Sequence, residues 1–343
     1  MRRRVAPRTL SAPASPRMLR VQIAGTGCYL PPRVVPSAEV EVWCGVPIGW
    51  AEAHAGVRER RRAEGETAAE MSAKASRMAL AEAGLDAGDL DLVISASGTP
   101  EQPIPDGGVL LHRALRLSGV PAFAVHATCL GFLAALHLAA PLVAAGAYRR
   151  VLVSCADISS GSLNPAEPES AVLLGDGAAA VVLTATPAGE ASAVEAVRFE
   201  TYSEGADFTA VRGGGSRLHP NRPDRLDTDF LFAMDGRAVL RLTIQRVGPF
   251  LDALRPGLAR GLAGVDRVVP HQASRAGFRL MEAFGWPAES VERTLDWTGN
   301  CVAASIPIAL HTAVAAARIR RGDRVLLTGT GAGLTLGGIV LTY

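Results

Sequence analysis

The chain has 343 residues, 48% hydrophobic and 20% charged, enough for two layered domains or one duplicated unit around a large core. A formal net charge of +2 leaves no concentrated basic footprint and argues against a nucleic-acid partner. Lys74 is the only lysine among 35 basic residues and lies far from every motif, which argues against Schiff-base chemistry.

Residues 1–18 are rich in arginine, proline and alanine and lack the apolar stretch of a signal peptide, so they are expected to form a disordered tail. Residues 21–24 read as a strand ending at Gly25-Thr26-Gly27. Residues 67–83 carry the helical stripe Met71, Ala75, Met78 and Ala79. Residues 90–96 and 122–127 read as short strands, the second followed at once by a long helix. The apolar run 130–147 is long enough to raise the question of a membrane span. His137 and Pro141 interrupt it, however, and a buried core helix is expected instead. Residues 151–155 and 178–183 are continuous apolar runs, as in strands covered on both faces.

The second half repeats the first in the same order. Val265-Asp266-Arg267-Val268-Val269 mirrors Leu90-Asp91-Leu92-Val93-Ile94, and Arg324-Val325-Leu326-Leu327 mirrors Arg150-Val151-Leu152-Val153. Gly331-Ala332-Gly333 mirrors Gly175-Asp176-Gly177, each followed by apolar residues. The pattern predicts a layered α/β fold built from two copies of one unit, 19–186 and 187–343, with the boundary near Pro187.

Five cysteines show neither the even count nor the spacing of a disulfide framework, and no Cys-x-x-Cys pair is present. The reducing cytoplasm fits this usage best, and no zinc site is expected. Cys129 stands where a strand gives way to a helix, in His126-Ala127-Thr128-Cys129-Leu130-Gly131-Phe132. A thiol there faces unpaired backbone N–H groups and the positive end of the helix dipole, which favour the nucleophilic thiolate. Gly131 is expected to allow close backbone approach to a substrate. His271 follows an apolar strand ending in Pro270, and Asn300 follows the turn residue Gly299 ahead of a small-residue helix. A cysteine can carry a thioester. Histidine and asparagine can donate hydrogen bonds to a thioester oxygen as negative charge develops, the stabilisation needed when a malonyl group loses carbon dioxide.

Competing motifs are weaker. Gly25-Thr26-Gly27 lacks the third glycine of a dinucleotide fingerprint, and no Gly-Lys-Ser/Thr phosphate loop exists. Gly213-Gly214-Gly215-Ser216 is followed by Arg217-Leu218 and fails as a nucleophile elbow. The remaining histidines share no ligand spacing, although His126 lies near Cys129.

Across nearly the whole chain these segments resemble the 3-oxoacyl-acyl-carrier-protein synthase III family. The resemblance rests on Gly25-Thr26-Gly27-Cys28-Tyr29-Leu30-Pro31-Pro32, Gly56-Val57 with Glu59-Arg60-Arg61, Cys129-Leu130-Gly131-Phe132 and Gly175-Asp176-Gly177-Ala178. It continues through Met234-Asp235-Gly236-Arg237, His271-Gln272-Ala273, Gly299-Asn300 with Ala304-Ser305-Ile306-Pro307, and residues 331–337. It implies a thiolase fold in αβαβα layers, a homodimer, and decarboxylative Claisen condensation of a malonyl thioester with an acyl group carried on Cys129. It further implies that His271 and Asn300 assist decarboxylation, with an oxyanion hole formed by the backbone N–H groups of Cys129 and Ala332. No permanently bound cofactor is implied; acyl-CoA or acyl-ACP is the substrate and an acyl carrier protein the partner. Trp50 and Ser274 fall on the donor side, and Arg237, Arg275 and Arg279 border the tunnel mouth, where an acidic carrier would dock. Three departures alter that side: Ser274 replaces the family's asparagine, Ala276 two residues on replaces an arginine, and His54 replaces an arginine beyond Trp50. Such changes also resemble synthase-III-like acyltransferases of specialised metabolism, which move an acyl group to an alcohol, an amine or a second carrier.

Overall fold

The computed structural model describes residues 18–343; the tail expected over 1–18 lies outside them except for Met18. The first half runs β1 (Val21–Tyr29), β2 (Arg33–Pro36), α1 (Ser37–Cys44), α2 (Trp50–Ala55), β3 (Glu59–Arg62), α3 (Ala68–Glu82), β4 (Leu92–Ser95) and α4 (Gly107–Ala114). It continues with β5 (Ala122–Ala124), α5 (Gly131–Ala144), β6 (Arg150–Asp157), α6 (Pro168–Ala171) and β7 (Gly177–Ala185). The second half runs β8 (Ala193–Thr201), the short β9 (Thr209–Ala210) and β10 (Ala233–Met234), α7 (Gly236–Leu254), β11 (Arg267–Pro270) and α8 (Arg275–Ala283). It ends with α9 (Leu295–Thr298), α10 (Ser305–Ala315), β12 (Arg324–Gly331) and β13 (Thr335–Thr342).

Two sheets carry the molecule. One has the order β1-β7-β6-β4-β5 and the other β11-β12-β13-β8. The pairing directions repeat. β1 and β7, and β7 and β6, are antiparallel, whereas β6 and β4, and β4 and β5, are parallel. Likewise β8 and β13, and β13 and β12, are antiparallel, and β12 and β11 are parallel. An isolated parallel bridge from Val268 to Val291 stands where a fifth strand would lie. The three sequence pairs noted above fall on β4 with β11, on β6 with β12, and on the entries to β7 and β13.

Side chains alternate along these strands, and both faces are buried. Ile94, Val151, Val153, Val181 and Leu183 face a core shared with Val325, Leu327, Ile339 and Leu341 of the other sheet, with α5 and α10 between. Val93, Leu152, Ala180 and Val182 face the opposite way, onto α3 and α4. Leu326, Leu336 and Val340 face α7. Burial on both faces is why these strands read as unbroken apolar runs. The layers are therefore helix, sheet, helix pair, sheet, helix: a thiolase fold.

Two local expectations change and a third holds. β1 continues through Gly25 and Gly27 to Tyr29. A Cβ at Gly25 would meet the Ala79 carbonyl at 2.2 Å, and one at Gly27 the Ala75 carbonyl at 2.1 Å, so these glycines seat α3 on the strand rather than end it. Met78 is 45% exposed and does not belong to the buried stripe of α3, although Met71, Ala75 and Ala79 do. The apolar run at 130–147 is α5, a core helix with Pro141 inside it, and no described helix is long and apolar enough to cross a membrane.

Candidate active site

Cys129 lies on the 3-10 turn Thr128–Leu130 that opens into α5. Thr128 adopts φ 48, a left-handed conformation that is costly for a β-branched residue and is held by its surroundings. Its hydroxyl accepts a hydrogen bond from the Ala332 N–H at 3.1 Å, which fixes the turn against the end of β12. Gly131 serves the turn in a way the sequence did not suggest. Its missing Cβ would fall 2.1 Å from the Ala96 carbonyl, so the close approach is to the end of β4 and not to a substrate.

Cys129 is half-buried as a residue, with its thiol closely surrounded. Burial pushes the Cys129 thiol up to about 12, aided by the charge of Asp157, although the backbone N–H groups of Cys129 and Ala332 pull the other way. The expected pull of those N–H groups toward the anion is present, but loss of solvent outweighs it. The N–H groups of Cys129 and Ala332 both point at the Cys129 sulfur.

His271 follows β11, its N–H donating to the Thr328 carbonyl at 2.8 Å. The ring is 5% exposed, and its Nδ1 is buried with no partner. Burial lowers its pKa to about 4, so the ring is neutral near pH 7. The adjoining loop is pinned by Gln272, fully buried, whose amide donates to the Pro270 and Glu292 carbonyls and accepts from the N–H groups of Thr294 and Leu295.

Asn300 follows Gly299, whose φ of 65 makes the turn after α9. The Asn300 carbonyl oxygen Oδ1 is occupied: Val302 N–H donates to it at 2.9 Å and Ser305 Oγ lies at 3.4 Å. The amide is thereby oriented, with its NH2 left as the free donor.

Glycines bring the three turns together. A Cβ at Gly329 would lie 2.6 Å from His271 Cβ and 3.4 Å from Leu130 Cδ2. One at Gly98 would meet Val302 Cγ1 at 2.5 Å and the Thr128 carbonyl at 3.2 Å. Sequence reasoning passed over these glycines and Asp157. The one signal for Asp157 is a lone acid closing the apolar run of β6.

The residues expected on the donor side lie elsewhere. Trp50 begins α2, whose N-terminus is held by the buried Glu41 carboxylate accepting from the N–H groups of Gly49 and Ala51 at 2.9 and 2.7 Å. His54 stacks on Trp50 with ring centroids 4.3 Å apart and planes 17° from parallel. Arg275 donates to the Ala53 carbonyl at 3.1 Å, joining α8 to α2, and Ser274 precedes α8 in extended conformation. Arg237, Arg275 and Arg279 are exposed, and none forms an ion pair among the described residues. Arg237 lines a cavity of about 900 Å³ with Glu167, Asp207 and Met234; that cavity is not lined by Cys129, His271 or Asn300.

The C-terminal family model of 3-oxoacyl-[acyl-carrier-protein] synthase III matches residues 260–343, and the companion synthase III model matches residues 123–205. The chain is 39% identical over 324 residues to a β-ketoacyl-[acyl-carrier-protein] synthase III 3 of Streptomyces coelicolor, covering 94% of this chain and 96% of the relative. It is 37% identical to the acetoacetyl CoA synthase NphT7 of Streptomyces sp. strain CL190, covering 92% and 96%. The crystal structure of 3-oxoacyl-[acyl-carrier-protein] synthase III from Aquifex aeolicus superposes with a TM-score of 0.83 at 32% identity, covering 94% of this chain and all of that one. With that fold, that coverage and a cysteine, a histidine and an asparagine on converging turns, the chain belongs to the 3-oxoacyl-[acyl-carrier-protein] synthase III family of the thiolase superfamily and is a thioester-dependent Claisen condensing enzyme of the acyltransferase class.

Proposed function

We propose that Cys129 carries the acyl group and that His271 and Asn300 drive decarboxylation of a malonyl thioester, whose carbanion then attacks the acyl-enzyme to give a 3-oxoacyl thioester. The observation that carries this reading is the state of the two donors: a neutral buried His271, and an Asn300 whose oxygen is already bound so that its NH2 is free. Both suit a site that must donate to an enolate oxygen without contributing a full charge.

In the first stage the Cys129 thiol attacks the acyl thioester. As the carbon–sulfur bond forms, the N–H groups of Cys129 and Ala332 receive the oxyanion; its collapse breaks the donor's thioester bond, and the departing CoA or carrier thiolate takes up the Cys129 proton. A thiol that loses its proton only on attack suits the raised pKa. In the second stage carbon dioxide leaves the malonyl group. The enolate oxygen accepts hydrogen bonds from His271 and Asn300, and the new carbon–carbon bond expels the Cys129 thiolate. The donor is acyl-CoA or acyl-ACP, with Trp50 and Ser274 on its path and Arg237, Arg275 and Arg279 receiving the acidic carrier. No permanently bound cofactor takes part. Five free cysteines support a reducing, cytoplasmic setting.

The working unit in this reading is a homodimer of duplicated subunits, with halves meeting near Pro187. β5 supports the dimer. It is the edge of its sheet, and Phe123 on it is 40% exposed, as a strand awaiting a partner would be.

Intact-mass spectrometry against a panel of acyl thioesters tests the first stage. One acyl adduct is expected, lost in Cys129→Ala and kept when Cys28, Cys44, Cys155 or Cys301 is replaced. An adduct on another cysteine overturns the assignment.

A further inference from the structure

Asp157 closes β6 with no solvent exposure, and among the described residues it forms no ion pair. Its carboxylate is held instead by four donors. Oδ1 accepts from the Gly98 N–H at 2.8 Å, the Thr99 N–H at 2.7 Å and the Thr99 hydroxyl at 2.9 Å. Oδ2 accepts from the Ala304 N–H at 3.0 Å. The two sides lead to different catalytic turns. Gly98 packs against the Thr128 carbonyl, one residue before Cys129. Ala304 belongs to the 3-10 turn Val302–Ala304, whose first N–H fixes the Asn300 amide.

We propose that Asp157 is a positioning residue for the condensation, its buried carboxylate holding the Cys129 turn and the Asn300 turn in register through main-chain N–H groups. The inference rests on the roles given above to Cys129 and Asn300. Three of the four donors are backbone groups, so the link fixes main chain rather than one rotamer, and charge-assisted bonds of this kind are the stronger ones. The arrangement has a cost at the nucleophile. The Asp157 charge opposes ionisation of Cys129, and burial lifts Asp157 itself to about 6. The titratable groups facing the carboxylate are Cys129 on the nucleophile turn, Cys155 on its own strand and Cys301 beside Asn300. All three thiols are pushed up by burial. A purely structural carboxylate would affect both stages alike, whereas this one has opposite effects on thiol acidity and on condensation.

The test is Asp157→Asn, which removes the charge and leaves one side of the clamp without an acceptor. Two readouts are taken: the pH midpoint of Cys129 alkylation by iodoacetamide, followed by peptide mapping, and carbon dioxide release from malonyl-CoA by preformed acyl-enzyme. The expected result is an alkylation midpoint at least half a pH unit lower, with carbon dioxide release at saturating malonyl-CoA slowed tenfold or more. A midpoint that stays or rises, or an unchanged release rate, overturns the proposal. If Asp157→Asn does not fold, Thr99→Val keeps the charge and removes one donor; release should fall about threefold, and no fall overturns the proposal. If the unmodified enzyme releases no carbon dioxide, the condensing roles fail, and the alkylation midpoint alone judges Asp157.

Discussion

His271 and Cys129 were both visible in the sequence as residues, but their acid–base states were not. A cysteine at a strand-to-helix junction reads as a thiolate because sequence exposes the helix end and hides the depth of the site. Burial reverses that balance at Cys129, and the same burial lowers His271 to about 4. The sign for His271 is definite: a base whose pKa falls is neutral above that value, so the ring remains a donor with one N–H throughout the working range. Carbon dioxide release by preformed acyl-enzyme is therefore expected to fall by no more than about a quarter from pH 8 to pH 6.5, the share of Asp157 protonated at pH 6.5 when it titrates near 6. An imidazole at its ordinary value would be half protonated at pH 6.5, and a rate changed about twofold there would contradict the neutral assignment. Asp157 itself was not legible, because its role comes from three segments that meet only in the folded chain.

Element by element, the chain announces types more clearly than ends. β4, β6, β7, β11, β12 and β13 are readable because their side chains are buried, and their duplicated order is readable because equivalent strands do equivalent packing; β8, only half-buried along most of its length, carries no such apolar run. Glycine is what misleads. Gly25 and Gly27 look like a terminator, yet they lie within β1 because α3 approaches their Cα atoms too closely for any side chain. Gly27→Ala would place a methyl 2.1 Å from the Ala75 carbonyl and 2.6 Å from the Ala79 N–H group's nitrogen, forcing α3 away. Overpacking of this kind costs about 1–3 kcal/mol, which should lower the melting temperature by several degrees. Gly88→Ala, where a Cβ meets nothing within 4 Å, is the control and should leave it in place. Equal melting temperatures for Gly27→Ala and the unmodified enzyme would contradict the packing argument.

At the scale of the whole molecule, the residues proposed for chemistry and those proposed for carrier docking lie on separate elements. Arg237 on α7 and Arg275 and Arg279 on α8 are exposed and unpaired among the described residues, free to meet an acidic carrier. Reversing each to glutamate should raise KM for an acyl-carrier substrate at least threefold and flatten its salt dependence, with kcat nearly unchanged. Unchanged kinetics in all three variants would remove these arginines from carrier docking. His54 stacks on Trp50 where the resembled pattern has an arginine. What unites the two sets is the claim that acyl transfer to Cys129 and decarboxylation are separable stages with separate donors. The most direct test is Asn300→Ala, with radiolabelled acyl loading and carbon dioxide release from a malonyl thioester measured on the same preparation. Removing one such donor should slow release by roughly two to three powers of ten while loading stays near that of the unmodified enzyme. Release that survives in Asn300→Ala, or an unmodified acyl-enzyme that releases no carbon dioxide yet acylates a small alcohol or amine, would contradict the account.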